Sequence, residues 1–299
     1  PPQRERVQRP EERPAQRGAH RMKLVGFLTL LIFTGFAQAA DVEPIKNAGP
    51  YVPSPQSVVA DMLRYAEVGP NDFLIDLGSG DGRIVLTAAK LFGTRGFGVE
   101  IKENLVRRAN EAAHKEGLAD RVKFVKQDLF KTDISKATVI TMYLLPDTVN
   151  LLKDKFLSEL RPGTRIVSHD YLLTGWIPEK YVQMDLEAKI QISGVTATLI
   201  YLHVVPAKVA GRWNAQMPPA VSRQPATLRL RQQLTRVSGS VVLDGEEVPL
   251  EDVKLRGDRL SFKLAGRKGE FTGQVKGSSI EGTLDAGGTK TPWSAALSG

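Results

Sequence analysis

The chain has 299 residues, of which 41% are hydrophobic and none is cysteine. This length suggests two domains, and the apolar content is sufficient for a folded core, so the composition excludes a wholly disordered protein. The formal net charge of +8 permits a nucleic-acid partner. No aromatic-interleaved basic block or nucleic-acid motif accompanies that charge, so no clear nucleic-acid partner is predicted.

The N-terminal 40 residues have the layout of an export signal. Residues 1–21 form a Pro/Arg/Glu/Gln tract that is predicted to be disordered or to precede the true start. Met22-Lys23, the apolar run Leu24–Phe36 and the Ala-Gln-Ala-Ala sequence that ends at residue 40 then match the three parts of a signal peptide. We therefore predict that residues 22–40 are a signal peptide and that the protein is exported or periplasmic. The alternative is a membrane anchor, with this segment in contact with the membrane.

The next stretch ends in a glycine-rich turn. An extended, proline-containing lead-in at 49–55 precedes an amphipathic helix predicted over Gln56–Glu67. The apolar run Phe73–Leu77 then gives way to glycines at positions 78, 80 and 82. A buried strand followed by such a turn and a helix forms a crevice for a nucleotide-like cofactor. Arg83 stands where the dinucleotide fingerprint needs glycine, and the Gly-Lys-Ser/Thr of a P-loop is missing. Both a dinucleotide site and a P-loop nucleotide site are therefore less favoured.

Acidic residues occur at three successive strand ends. Asp76 and Glu100 are each the second-to-last residue of their runs, Phe73–Leu77 and Gly96–Ile101. Asp128 is the last residue of Val122–Asp128. A carboxylate at the carboxyl end of a strand accepts hydrogen bonds from two ribose hydroxyls, which is the role predicted for Glu100. Any one of these acids alone is more often a cap or turn residue. Their joint spacing with the glycines favours a cofactor site.

The segment Asp76–Gly82 resembles the D-x-G-x-G-x-G turn of class I S-adenosylmethionine-dependent methyltransferases. With Tyr-Val-Pro-Ser-Pro at 51–55 and Gly-Val-Glu at 98–100, the chain resembles over roughly 50–205 the ATP-synthase c-subunit and adenine-nucleotide-translocase lysine methyltransferases and their bacterial relatives. The resemblance implies S-adenosylmethionine as cofactor, with Asp128 beside its adenine, and possible protein-lysine methylation. The implied cofactor-binding residues are Tyr51, Asp76, Gly78, Ser79, Gly80, Glu100, Asp128 and Leu129. Tyr51 and Ser54 are expected to fold over the cofactor.

Alternating helices and strands continue to residue 205. The predicted elements are a helix at 104–116, a strand at 137–143, a helix at 147–160, a strand at 164–170 and a closing hairpin of strands at 186–193 and 195–205. This order predicts a Rossmann-like α/β domain over 41–205, with a mostly parallel sheet, helices on both faces and ligands beyond the carboxyl ends of the strands.

Residues at two of those strand ends are candidates for the acceptor side. Methyl transfer is an in-line displacement, so the enzyme mainly orients a neutral nucleophile and excludes water. Tyr143 is predicted to line the methyl pocket, and Asp170 or His169 to bind the acceptor or relay its proton, so Tyr143 and Asp170 are the catalytic candidates. The alternative is that Tyr143 packs at a strand end and that the His-Asp pair caps a turn. No metal site is predicted.

The chain changes character after Pro206. Residues 206–225 are predicted to be a linker, and 226–299 a small antiparallel β domain, either a sheet or a barrel. Its repeated hydrophobic-x-Gly-x-hydrophobic segments indicate glycines at bends or close backbone approaches. This domain is expected to bind an acceptor, a partner or an envelope surface, or to stabilise an oligomer of unknown size.

Two functions follow from these observations. The first is an S-adenosylmethionine-dependent methyltransferase. The alternative is a catalytically silent cofactor-binding protein that acts through its β domain. An exported methyltransferase also requires its cofactor to be supplied across a membrane, because S-adenosylmethionine is made in the cytoplasm.

Overall fold

The structure, a computed structural model, describes residues 50–298. The side chains of residues 188, 192 and 193 are not described. The predictions for residues 1–21 and 22–40 therefore lie outside the described residues. Within residues 50–298, no helix is both long and apolar enough to cross a membrane.

The first part of the described chain forms a seven-stranded sheet in the order β3-β2-β1-β4-β5-β7-β6. Strands β1 to β5 are parallel, whereas β7 runs antiparallel to both β5 and β6. The strands are β1 Phe73–Leu77, β2 Arg95–Glu100, β3 Val122–Lys126, β4 Val139–Met142, β5 Arg165–His169, β6 Lys180–Asp185 and β7 Ala197–Val204. The predicted Rossmann-like fold is confirmed.

Helices cover both faces of this sheet because successive strand residues point to opposite sides. Leu74 packs in one apolar cluster with the buried face of the first helix, while Ile75 packs in a second cluster with Phe156. The helices are α1 Gln56–Tyr65, α2 Arg83–Phe92, α3 Glu103–Lys115, α4 Pro146–Leu151, α5 Lys153–Glu159 and α6 Ile190–Ser193. The single helix predicted at 147–160 is thus two helices that meet at Leu152.

The strand predicted at 186–193 is wrong. That segment is a 3₁₀ turn at Glu187–Lys189 followed by α6, which ends at Gly194 in the left-handed conformation with φ 74°. The partner of β7 is instead Lys180–Asp185, an edge strand whose side chains are alternately exposed and half-buried. Residues 187–191 are mostly good helix formers, and a buried contact of Lys189, described below, turns this segment inward.

The C-terminal part of the chain closes into an eight-stranded antiparallel barrel in the order β10-β11-β12-β13-β14-β15-β8-β9. Its strands are β8 Gly211–Gln216, β9 Ala226–Gln233, β10 Arg236–Leu243, β11 Glu246–Arg256, β12 Arg259–Leu264, β13 Glu270–Lys276, β14 Ser279–Ala286 and β15 Thr289–Leu297. Inward-facing residues fill it, as in other small barrels. The small antiparallel β domain is confirmed, and it is the barrel of the two predicted forms.

The segment predicted as a linker, 206–225, contains a barrel strand. β8 pairs with β9 on one side and β15 on the other, so it closes the barrel. Its Trp213 is 0% exposed, and the indole Nε1 donates a hydrogen bond to the Val209 carbonyl at 2.9 Å. The prolines that flank this short strand are the reason that its pattern resembled a linker.

The glycines of the repeated segments have the role predicted for them. Gly273 and Gly282 lie opposite each other on β13 and β14, next to the ring of Trp293. A Cβ at position 282 would lie 1.9 Å from the Thr272 carbonyl oxygen and 2.6 Å from the Trp293 Nε1. Glycine therefore permits the close approach of the two strands beneath the indole.

The barrel contacts the base of the seven-stranded sheet. The turn at Gly257 lies against Gly163, and its carbonyl accepts a hydrogen bond from the Ala207 N–H at 2.8 Å. Arg256 and Glu179 form an ion pair at 2.7 Å beside this contact. Gly163 precedes β5 and so lies at the amino ends of the parallel strands, opposite the edge at which ligands bind in such sheets.

Trp213 tests whether β8 is part of the barrel core. Replacing Trp213 with Ala is expected to lower the free energy of unfolding by about 3–5 kcal/mol, because a fully buried aromatic side chain is lost. The matched control is Arg212→Ala, an exposed neighbour on the same strand, with an expected change within about 0.5 kcal/mol. Urea unfolding followed by circular dichroism measures both, and equal effects would show that β8 is only a linker.

Candidate functional site

A cleft opens at the carboxyl ends of β1, β2, β3 and β4. It is the crevice expected for a parallel sheet of this order. All the residues predicted to contact the cofactor line it, as does one of the two catalytic candidates: Tyr51, Asp76, Gly78, Ser79, Gly80, Glu100, Asp128, Leu129 and Tyr143.

The glycine turn after β1 forms the floor of the cleft. The amides of Gly78 and Ser79 both donate to the Val99 carbonyl at 2.9 Å, which fixes the turn to β2. Gly80 has a φ of 55°, and a Cβ there would lie 2.5 Å from the Tyr51 ring. A side chain at position 80 would therefore fill the space in which Tyr51 packs over the turn.

Glu100 stands at the end of β2 with its carboxylate held by backbone amides. Oε2 accepts from the Gly80 N–H at 3.1 Å, and Oε1 accepts from Ile101 and Lys102, each at 2.9 Å. A carboxylate offers about four acceptor positions, so capacity remains for a hydroxyl group of a ligand. The predicted ribose-binding acid is therefore preoriented at the cleft.

Asp76 is the buried acid of the site. Only 2% of it is exposed, and its carboxylate accepts a hydrogen bond from the Thr141 hydroxyl at 2.8 Å. Burial, opposed by the hydrogen bond from Thr141 and aided by the nearby charges of Asp81 and Glu100, raises the pKa of Asp76 to about 7. A cation in the cleft would favour the ionised form of this carboxyl.

Asp128 lies at the rim beyond β3. Its Oδ1 accepts from the Phe130 N–H at 2.9 Å, and its carbonyl accepts from the Thr132 hydroxyl at 2.9 Å. This local turn holds the carboxylate in position while the adjacent Leu129 is buried and supplies an apolar wall. Asp128 and Leu129 therefore combine a hydrogen-bond acceptor with an apolar surface, as recognition of an adenine ring requires.

The lead-in segment is fixed over the cleft by Arg83, a role that the sequence did not reveal. The guanidinium donates to the Ser54 carbonyl at 2.8 Å and to both oxygens of Asp81 at 2.9 and 2.6 Å. Burial, followed by the charge of Asp81, raises the pKa of Tyr51. Arg83 thus holds residues 51–54 on the glycine turn, where Tyr51 and Ser54 were expected.

Tyr143 follows β4 and faces the cleft from the acceptor side. Its hydroxyl donates to Asp170 Oδ2 at 3.1 Å, and its ring lies on the imidazole of His169 with centroids 3.9 Å apart. Burial, followed by the charge of Asp170, raises the pKa of Tyr143 above its ordinary value. Tyr143 therefore remains a neutral phenol.

Asp170 lies behind Tyr143 and does not line the cleft. The residue has a φ of 63°, and its Oδ1 accepts from the Lys189 ammonium at 2.6 Å and from the Leu199 N–H at 3.1 Å. Its contact with the cleft runs through the Tyr143 hydroxyl. Lys189 was not among the predicted residues, because its segment had been assigned to a strand.

His169 joins the acceptor side to the lead-in segment. Its Nδ1 lies 2.8 Å from the Ser54 hydroxyl, and both residues are buried. Burial lowers the pKa of His169 to about 4, although Asp170 acts in the opposite direction. His169 is thus neutral at pH 7. Among residues 50–298 there is no His, Cys, Asp and Glu cluster that could hold a metal ion.

These residues fit S-adenosylmethionine. The turn at Gly78 and Gly80 lets a ligand approach the backbone, Glu100 offers acceptors for hydroxyl groups, and Asp76 is a buried acid suited to a cationic ligand. A phosphate-bearing ligand would place negative charge among these carboxylates, which is unfavourable.

Comparison with known proteins agrees with this geometry. A family model described as the ANTKMT methyltransferase domain matches residues 76–180. The chain is 42% identical over 157 residues to a protein-lysine N-methyltransferase of Saccharolobus islandicus, a match that covers 52% of this chain and 93% of that protein. It is 33% identical over 149 residues to the adenine nucleotide translocase lysine N-methyltransferase of Mus musculus, covering 50% of this chain and 63% of that protein.

One solved structure is also similar over the same share of the chain. It is described as an RNA methyltransferase from Salinibacter ruber in complex with S-adenosyl-L-homocysteine, with 44% sequence identity, a TM-score of 0.47 and coverage of 53% of this chain and 96% of that one. The match to the Saccharolobus islandicus protein covers nearly all of that protein, and the glycine turn with its acids agrees with it. We conclude that this chain belongs to the ANTKMT-type family of S-adenosylmethionine-dependent methyltransferases.

Proposed function

We propose that this protein transfers the methyl group of S-adenosylmethionine to the side-chain amine of a lysine in another protein. The observation that carries this proposal is the neutral Tyr143, which lines the cleft while its hydroxyl donates its proton to Asp170. The names of the relatives from Saccharolobus islandicus and Mus musculus, both lysine N-methyltransferases, support the choice of acceptor.

The cofactor supplies an activated methyl group, and the protein supplies position. Glu100, Asp128 and Asp76 would hold the cofactor on the glycine turn, with Tyr51 above it. Because the Tyr143 proton is used by Asp170, the phenolic oxygen presents its lone pairs to the cleft. Those lone pairs can accept an N–H of the acceptor amine and so direct the nitrogen lone pair for in-line displacement.

The acceptor side favours a neutral amine. A lysine must lose its proton before it can attack, and burial lowers the pKa of an amine. Tyr143 is a neutral phenol, His169 is neutral at pH 7, and the charge of Asp170 is paired with Lys189. The site therefore offers the incoming amine a hydrogen-bond acceptor without an unpaired carboxylate that would stabilise the ammonium form.

The catalytically silent alternative is less favoured. A protein that only held the cofactor would need the glycine turn and its acids, but not the buried set of Tyr143, Asp170 and Lys189 on the acceptor side. Buried ion pairs carry a large desolvation cost, so their presence beside the cleft favours a role in the reaction.

We also propose that residues 22–40 direct export or anchor the chain in a membrane. The apolar run and the Ala-Gln-Ala-Ala sequence support this proposal. Determination of the mature N-terminus together with cell fractionation tests it. An uncleaved chain found only in the cytosolic fraction would contradict it.

Methyl transfer itself can be measured with radiolabelled S-adenosylmethionine and a protein extract, followed by identification of methyllysine by mass spectrometry. We expect label in lysine residues, and we expect Tyr143→Phe to lower kcat roughly 5- to 150-fold, as loss of a hydrogen bond worth about 1–3 kcal/mol implies. Cofactor affinity should change little.

The control for Tyr143→Phe is Tyr181→Phe, because Tyr181 is 66% exposed on the edge strand β6. Its rate should equal that of the unmodified chain. Label found only in RNA, lipid or small molecules would contradict the lysine acceptor and leave the methyltransferase assignment intact.

Glu100 can be tested separately in cofactor binding. We expect Glu100→Gln to weaken binding of S-adenosylmethionine by about 1.5–3 kcal/mol, roughly 10- to 150-fold, because a hydrogen bond to a charged acceptor is lost. Isothermal titration calorimetry measures the change. Glu103→Gln removes the same charge from the exposed start of α3 and should leave binding unchanged, so equal affinities of the two variants would remove Glu100 from the cofactor site.

Asp76 predicts a pH dependence of cofactor binding. Its pKa near 7 means that most of the population is protonated at about pH 6, and a cationic ligand favours the ionised form. We therefore expect affinity to rise with pH until about 8 and proton release on binding at about pH 6. Titrations in two buffers of different ionisation heat measure that release, and Asp76→Asn should abolish it. Release that persists in the variant would assign the proton to another group.

The same residue affects the stability of the ligand-free protein in the opposite direction. The folded state retains the Asp76 proton up to about pH 7, whereas an unfolded Asp loses it near its ordinary pKa of about 4. The contribution of Asp76 to the free energy of unfolding therefore falls as the pH rises through this window. Urea unfolding at several pH values should show this fall in the unmodified chain and a smaller one in Asp76→Asn.

A further inference from the structure

A buried lysine, Lys189, is connected to the acceptor side of the cleft through Asp170 and Tyr143. Lys189 is only 4% exposed, and its ammonium donates to Asp170 Oδ1 at 2.6 Å and to the Ala197 carbonyl at 2.5 Å. Lysine is rarely buried to this extent unless it is paired. Its segment is a single 3₁₀ turn followed by one turn of helix, and the ion pair with Asp170 and the hydrogen bond to the Ala197 carbonyl hold this side chain inward.

Asp170 is held in an unusual conformation by the same set of contacts. Its φ of 63° is uncommon for a residue with a Cβ and costs free energy of order 1 kcal/mol or more. The backbone N–H of Asp170 donates to the Leu199 carbonyl at 2.7 Å, and the Leu199 N–H donates back to Oδ1 at 3.1 Å. Oδ1 is thus occupied by β7 and Lys189, which leaves Oδ2 directed at Tyr143.

We infer that Lys189 is a positioning residue for methyl transfer: its ammonium holds Asp170 through Oδ1, so that Oδ2 accepts the Tyr143 proton and the phenolic oxygen serves the cleft as an acceptor. This inference rests on the proposed function. Lys189 acts through Asp170 and Tyr143, because it does not itself line the cleft.

Among the described groups that face Asp170, Lys189 carries the positive charge in the unmodified chain at pH 7. These groups are Tyr143 after β4, His169 on β5, Lys189 on the 3₁₀ turn and Tyr201 on β7. Burial, together with the charge of Lys189, lowers the pKa of His169 to about 4, so its ring is neutral at pH 7 although Nε2 lies 3.6 Å from Asp170 Oδ1. The two tyrosines are neutral as well. Lys189 is therefore the positive charge that compensates the carboxylate.

Loss of that charge has a predictable chemical consequence. A buried carboxylate without a counter-ion takes up a proton, because burial disfavours the charged form. The resulting carboxylic acid can donate to the Tyr143 oxygen, which frees the phenolic proton to turn toward the cleft. Tyr143 would then present a donor where the amine needs an acceptor. The effect falls on kcat, whereas the cofactor residues on β1, β2 and β3 are untouched.

The test uses the full chain with Lys189→Met, Lys189→Gln and Lys189→Arg, together with Asp170→Asn. We expect the two neutral Lys189 variants to lose at least about tenfold in kcat near pH 7, with cofactor affinity retained. Their rate relative to the unmodified chain should recover as the pH rises and Asp170 ionises again. Lys189→Arg should keep most of the rate. Asp170→Asn should lose rate without recovery at high pH, because it has no carboxyl group to ionise.

The control is Lys180→Met, which removes a lysine from the exposed edge strand β6 and should leave kcat unchanged at every pH. A merely structural role of Lys189 predicts a loss that does not depend on pH and a parallel loss of cofactor binding, and either result overturns the inference. So does a normal rate in Lys189→Gln, or an increased rate, which would mean that Lys189 competes with the acceptor. Absence of lysine methylation by the unmodified chain overturns the inference and the proposed function together.

Discussion

The carboxylate of Glu100 connects the two strand ends on which the cofactor site depends. It accepts from the amide of Gly80 in the turn after β1 and from the amides of Ile101 and Lys102 after β2. These backbone groups would otherwise be left unpaired at a place where the chain turns sharply. The same carboxylate therefore fixes the shape of the turn and faces the ligand, so the geometry of the floor and the position of the acid cannot vary independently.

The cofactor half of the site was predictable because its determinants are local. Asp76, Glu100 and Asp128 each stand at the end of an apolar run, and the topology of a parallel sheet brings such ends to one edge. The acceptor half depends on contacts between distant residues. Tyr143 and Asp170 could be placed at strand ends, but the partner of Asp170 could not, since Lys189 enters from a turn whose sequence also permits a strand.

The same distinction explains the errors elsewhere in the fold. β11 is difficult to recognise in the sequence, because its polar residues and the register shift between Glu251 and Lys254 interrupt the alternation on which strand prediction relies. β8 is short and lies between prolines, so only its pairing with β9 and β15 distinguishes it from a linker. Arg83 was noticed only as a departure from the dinucleotide fingerprint. Its contact with the Ser54 carbonyl, 29 residues earlier, gives it a positive role in the site.

The two sides of the cleft differ in the charge that they present, and this difference suits methyl transfer from a cation to an amine. On the cofactor side, Asp76, Glu100 and Asp128 bring negative charge to the cleft, which complements a cationic ligand. On the acceptor side, Lys189 compensates the charge of Asp170, and Tyr143 lines the cleft. An unpaired carboxylate there would stabilise a lysine in its protonated, unreactive form. In the proposed reaction, the pairing of Asp170 with an internal lysine would let the carboxylate orient Tyr143 while its electrostatic effect on the incoming amine is largely cancelled.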